Sequence, residues 1–185
     1  MVMKISRRNL LVKGAALVST SLILPRFGLA SACLDKKIAL HNIHTGEWFK
    51  GAYIENGVII PEAMTQLKTF LRDHHNNQTH DIDPELINLI NRLQMDCRVP
   101  GLATFDVISG YRSPSTNNML RCKNAGVAKN SYHMKGCAID IKLPKHLREL
   151  KNLAVSYKMG GVGYYPKSGF VHVDIRDKPA RWGAA

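Results

Sequence analysis

The chain has 185 residues, which makes a single domain the default. Its formal net charge is +12, but the basic residues are scattered, with no run and little aromatic interleaving. That pattern argues against a nucleic-acid partner and for general attraction to an acidic surface, such as an envelope polymer or lipid head groups.

Residues 1–32 read as an export signal. Ser6-Arg7-Arg8-Asn9-Leu10-Leu11 forms a charged end that resembles the twin-arginine type. An apolar run follows to Leu24, and the small residues Ala30 and Ala32 suit a peptidase cleavage site. The run from Leu10 contains Gly14, Ser19, Thr20 and Ser21, and falls short of the roughly 20 apolar residues of a spanning helix. The expected mature domain is therefore 33–185, periplasmic or envelope-bound, with no transmembrane span. Lys4, Arg7, Arg8, Lys13 and Arg26 leave with the signal, which lowers the net charge to +7. Cys33 follows directly. A lipoprotein box also ends in cysteine, although Ala30 stands where it usually carries Leu. A lipid anchor there would tether the domain without changing its chemistry. The cysteines Cys33, Cys97, Cys122 and Cys137 lack zinc-ribbon spacing, and four of them allow three pairings, which sequence leaves open.

Ile38–Ile43 reads as a strand. Tyr53–Ile60 reads as another, turned through Asn56-Gly57. Pro61 opens a helix whose stripe is Ala63, Met64, Leu67, Phe70 and Leu71. Asp73–Asp81 is a polar loop. Asp83 caps the next helix, with Pro84 in its first turn and Leu86, Ile87, Ile90 and Leu93 on its buried face. Thr104–Ile108 is a predicted strand and Ser115–Cys122 a short helix. Cys137–Leu143 is a strand, and His146–Lys158 a helix ended by Gly160-Gly161. Val162–Tyr165 and Phe170–Ile175 form an antiparallel pair turned at Pro166–Gly169. The expected class is α+β, with a small antiparallel sheet and flanking helices.

Two late stretches carry the chemistry: Ser131-Tyr-His-Met-Lys-Gly-Cys-Ala-Ile-Asp140 and Phe170-Val-His-Val-Asp174. Alternation along a strand puts Phe170, His172 and Asp174 on one face, with Val171 and Val173 on the other. In the same way Ala138 and Asp140 share a face, while Ile139 and Ile141 point to the core. His133, Asp140 and His172 make a ligand set for one divalent metal, and zinc suits imidazole and carboxylate together. Three ligands leave an open position at which water becomes a nucleophile near neutral pH. On spacing alone, a metal site and a set of satisfied core side chains account for these residues equally well.

Ser109-Gly-Tyr-Arg-Ser-Pro-Ser-Thr-Asn117, the two late stretches and Gly160-Gly-Val-Gly-Tyr-Tyr-Pro166 together resemble the M15 zinc peptidases. Within them the chain is most similar to an exported murein endopeptidase-like branch, first known as a domain of unknown function. Leu40-His-Asn-Ile-His-Thr-Gly-Glu47 and Leu71-Arg-Asp73 resemble that branch too, so the likeness spans nearly all of the mature chain. It implies the fold shared by D-Ala-D-Ala peptidases and the hedgehog signalling domain, one zinc held by His133, Asp140 and His172, and peptidoglycan peptide stems as substrate. Arg112 matches the arginine that polarises the scissile carbonyl or binds a substrate carboxylate, and a guanidinium is suited to a developing oxyanion. Ser131 and Tyr111 are candidate substrate contacts; a structural turn and aromatic core packing explain them equally well, and Tyr164 shares the second alternative. A monomer is expected.

One departure touches the mechanism. Several M15 members carry an acidic base three residues before the last histidine, and Gly169 stands there in this chain. Asp174 is the nearest acid. It either takes the proton or orients a ligand histidine, the favoured role. His41 and His44 are other sources of a base, while His74, His75, His80 and His146 read as surface residues. The expected activity is hydrolysis of peptidoglycan cross-links. Its rivals are a D-amino-acid carboxypeptidase and a metal-containing wall-binding module without catalysis. An exported redox protein is disfavoured, since no dinucleotide or haem motif is present.

Overall fold

A computed structural model describes residues 35–183 apart from 98, 100 and 125. The expected export signal and Cys33 lie outside the described residues. Strands β1 (Lys36–Asn42), β2 (Trp48–Glu55) and β3 (Val58–Ile59) open the domain. The turn between β2 and β3 is the expected Asn56-Gly57, both residues having positive φ, as a tight hairpin requires. Helices α1 (Pro61–Phe70) and α2 (Pro84–Asp96) follow, each with proline in its first turn. Asp83 caps α2 by accepting a 2.9 Å bond from the Glu85 amide. Then come β4 (Phe105–Ser109), α3 (Pro114–Lys123), a single 3-10 turn at Tyr132–Lys135, β5 (Ala138–Lys142) and α4 (Leu147–Ser156). Strands β6 (Gly161–Tyr165), β7 (Phe170–Asp174) and β8 (Ala180–Gly183) close it.

The α+β class holds, but the sheet is neither small nor purely antiparallel. Its eight strands run in the order β3-β2-β1-β4-β5-β7-β6-β8. The β1–β4 and β6–β8 pairs are parallel. Neither pair was legible in the sequence. The first needs a long crossover, which here carries α1 and α2. The second needs β8, too short to show a hydrophobic period.

Helices α1, α2 and α4 pack against the sheet. Ile38, Leu40, Phe105, Val107, Ile139, Ile141, Val171 and Val173 from the strands join Leu67, Leu86, Ile87, Ile90, Leu93 and Leu150 from the helices in one buried cluster. Alternation then leaves Asp140 and His172 on the opposite face. No described helix is long and apolar enough to cross a membrane.

Gly160-Gly161 does not end α4. The helix stops at Ser156 and the chain reverses at Lys158, whose φ is 55°. The two glycines serve Asp174 instead. A Cβ on Gly160 would lie 2.1 Å from the Asp174 carbonyl oxygen, and one on Gly161 would lie 2.3 Å from its carboxylate Oδ2. Only a backbone without side chains lets β6 come this close to that carboxylate.

Candidate metal centre

Strand register builds the site. Ser109 pairs with Asp140, Asp140 with His172, His172 with Gly163, and Gly163 with Trp182. One row therefore crosses five strands. Gly163 leaves room in that row: a Cβ there would sit 2.6 Å from the Trp182 indole nitrogen. The Trp182 ring lies 5.2 Å from the His172 ring, centroid to centroid.

His133 arrives from outside the sheet, on the 3-10 turn. Ser131 caps that turn, its hydroxyl accepting from the His133 amide at 3.4 Å. The His133 ring is anchored from behind by Nδ1, which donates to the Gly110 carbonyl at 2.7 Å. A carbonyl only accepts, so Nδ1 carries the proton and Nε2 presents a lone pair. Likewise His172 Nε2 donates to Asp174 at 3.0 Å, leaving Nδ1 to face the site.

The three inward atoms lie close together. His133 Nε2 is 3.1 Å from His172 Nδ1 and 3.3 Å from Asp140 Oδ1, and His172 Nδ1 is 2.8 Å from the same oxygen. Zinc bonds of about 2.0–2.1 Å in a tetrahedron hold donor atoms roughly 3.3 Å apart. All three residues are buried. Two imidazole lone pairs and a carboxylate aimed at one point repel unless a cation lies between them, so the donor set fits a divalent metal.

Electrostatics agree. Burial would raise Asp140, yet the His133 and His172 rings hold its carboxyl well below the usual carboxylate range. Burial chiefly pushes His133 below its ordinary value. Burial also pushes the His172 imidazolium down, but hydrogen bonds to Asp140 and Asp174 outweigh it and hold the ring at about 9.

Asp174 is fully buried behind His172. Its Oδ1 accepts from the Gly161 amide at 2.9 Å and the Arg176 amide at 3.1 Å, while the Arg176 guanidinium clamps both oxygens. Burial would raise this carboxyl, yet hydrogen bonds from His172 and then Arg176 keep it well below its ordinary value. Arg176 is itself held between aromatic rings, 4.8 Å from Tyr132 and 4.8 Å from Trp182.

Arg112 stands at the edge of the ligand set, its Nη2 3.4 Å from Asp140 Oδ2 and 3.3 Å from the Ser109 hydroxyl. Three successive amides pin its backbone: Tyr111 donates to the Leu71 carbonyl at 2.7 Å, Arg112 to the His133 carbonyl at 3.2 Å, and Ser113 to the Asp73 carboxylate at 2.9 Å. The Leu71-Arg-Asp73 segment thus holds the arginine loop, and Arg72 in turn pairs with Glu47 at 2.7 Å.

The ligands open into a cleft of about 660 Å³. Arg112, Ser131, Tyr132, Tyr165, Arg176 and Trp182 contribute to its walls, and Asp140 is the one carboxylate among its lining residues. Tyr111 lies elsewhere. It is buried in the core, stacked on His80 at 5.0 Å, and reaches a neighbouring cavity. Tyr164 packs against the core. His41 pairs with Asp106 at 2.9 Å and stacks on Trp48, and it lines neither cavity. His74 is not a fully solvated residue: it is half-buried, with its ring against those of His44 and His75. His75, His80 and His146 are exposed as expected. Among the described residues, Cys97, Cys122 and Cys137 are not bridged to one another.

The reading from sequence missed Arg176 and Trp182. The signal for Arg176 was its place two residues after Asp174, a basic partner for a buried acid. Trp182 gave none, since its role depends on β8 lying beside Gly163.

A family described as peptidoglycan L,D-endopeptidase MepK matches residues 30–181. The chain belongs to this family. It is 41% identical over 180 residues to peptidoglycan L,D-endopeptidase MepK of Escherichia coli strain K12, covering 95% of this chain and 96% of that one. The protein of the same name from Shigella flexneri matches equally. A probable peptidoglycan L,D-endopeptidase MepK from Haemophilus influenzae is 41% identical over 155 residues, covering 82% of this chain and 83% of its own. M15 peptidases are generally metal-dependent, which agrees with the donor set found here.

Proposed function

We propose that this protein is a zinc-dependent endopeptidase that hydrolyses L,D peptide cross-links of peptidoglycan. The observation that carries the reading is the convergence of His133, Asp140 and His172 on one point, beside Arg112 and at the floor of an open cleft. The names of the relatives supply the substrate class.

Zinc held by these three side chains would supply Lewis acidity and an activated water. Arg112 faces the space where the scissile carbonyl enters and stabilises negative charge developing on its oxygen. Asp174 orients His172: its Oδ2 fixes the ring through Nε2–H and so presents Nδ1 inward. We assign it no proton-accepting role, because its acceptor positions are filled from behind the ring. The turn before β7 offers no acid at Gly169, so the cleft differs from M15 members that carry one there. Ser131 shapes the His133 turn and reaches the cleft wall. The basic balance of the chain suits an anionic wall polymer. We place the protein in the envelope as a monomer, delivered by the twin-arginine-like segment at 1–32, with Cys33 available for a lipid anchor.

Mass spectrometry of purified sacculi incubated with zinc-loaded protein tests this. Fragments from opened L,D cross-links are expected. Release of single amino acids would make the protein a carboxypeptidase, and binding without products would make it a wall-binding module.

A further inference from the structure

A second cavity, of about 320 Å³, meets the main cleft at Arg112, Asp140 and Phe170. The metal chemistry above does not use it. Three imidazoles, His44, His74 and His75, contribute to its wall. The His44 ring lies 4.0 Å from that of His74 with the planes 7° apart, and the His75 ring lies 4.2 Å from His74 at a tilt of 35°. His44 comes from the turn after β1, whereas His74 and His75 come from the loop after α1. That loop is built, not loose. Buried Asp73 accepts from the His75 amide at 3.0 Å and the Ser113 amide at 2.9 Å, tying it to the start of α3.

The His74 ring of that wall is held neutral, beside the Asp73 carboxylate that also lines the cavity. Burial, then His44 and His75, push His74 down to about 4, against the opposing pull of Asp73. Arg112 also bears on it from the junction side. A neutral imidazole offers one donor and one acceptor at its edge, the same pair that a peptide amide offers. The cavity therefore combines peptide-like polarity, a cation at its mouth and direct continuity with the proposed metal.

A cross-link is two peptides joined at one amide, so an endopeptidase has to accommodate an arm on each side of that amide. We infer that the second cavity receives the second peptide arm of the cross-link, with His44 and His74 as its polar wall and Arg112 at the junction. This rests on the endopeptidase reading and names the residues that would set its preference for cross-linked over single stem peptides.

The test is binding to zinc-loaded protein. The probes are a cross-linked stem-peptide dimer with its scissile amide replaced by a non-cleavable methylene-amine, and a single stem peptide. Wild type is expected to bind the dimer about tenfold more tightly, the worth of one or two added hydrogen bonds. Leu120→Trp fills the cavity from α3, and His74→Ala removes part of its wall. Each should abolish the difference by weakening dimer binding alone. Circular dichroism, the melting temperature and zinc content identify any variant that fails to fold, and His44→Ala on the turn after β1 then takes its place. Unchanged dimer binding in folded variants would overturn the inference, as would equal weakening of both probes. Wild-type hydrolysis of natural dimer is measured separately, so failure of the endopeptidase reading is seen independently.

Discussion

Asp140 and His172 stand on paired strands inside the sheet, whereas Arg112, His44 and His74 stand on loops. Strand register holds the first pair: once Ile139, Ile141, Val171 and Val173 enter the core, both polar side chains must face the same side. No such rule places the loop residues. They depend on individual hydrogen bonds, with Asp73 serving both the arginine loop and the histidine loop. The strand half resembles a rigid metal cradle and the loop half a substrate-handling rim, a division common where precision and adaptability are both needed.

The comparison is tested most severely at the ligands. His133→Ala and His172→Ala should each lose bound zinc and bring hydrolysis to background, because three protein ligands are typical of a catalytic site. Elemental analysis reads this directly, and full zinc retention in both variants would remove the cradle from the account. Arg112→Ala should keep zinc and lose roughly 10²-fold or more in turnover, the scale of a lost oxyanion donor. Cross-linked muropeptides at saturating concentration give that number, and an unchanged rate would make Arg112 structural.

Asp174→Asn probes the support of the cradle. Zinc affinity should fall by roughly 10- to 100-fold, with activity partly restored by added zinc, as when a partner of a ligand histidine is lost. A dead variant with tightly held zinc would instead make Asp174 the base.

The smallest effect belongs to the rim. His74 has its folded pKa lowered to about 4 from an ordinary value near 6.5. The unfolded chain therefore takes up this proton first, and the neutral ring's contribution to stability is present above about 6.5 and lost as pH falls towards 4. Asp73, His44, His75 and Arg112 surround it and should tune the curve. His74→Gln should flatten stability across that window in urea titrations at stepped pH. An unaltered slope would mean the ring is solvated.

Much of the local structure was written in single residues. Asn56-Gly57 marked the hairpin, Pro61 and Asp83 marked helix starts, and alternation around Asp140 and His172 separated the core face from the ligand face. Gly160-Gly161 misled, because a glycine pair after a helix looks the same whether it ends the helix or admits a neighbouring carboxylate. The fourth helix ended at Ser156 without it.

The sequence by itself determined which residue types could hold a metal and which faces of their strands they occupy, since both follow from covalent chemistry and a two-residue period. Family likeness added the substrate class. Only the tertiary structure decided that β8 carries Trp182 to His172, that Arg176 clamps Asp174, and that His44 meets His74 beside Arg112. Each of these joins segments whose spacing in the chain has no periodic relation. They meet because the eight strands pair in one particular order, and that order is set by the packing of the whole core.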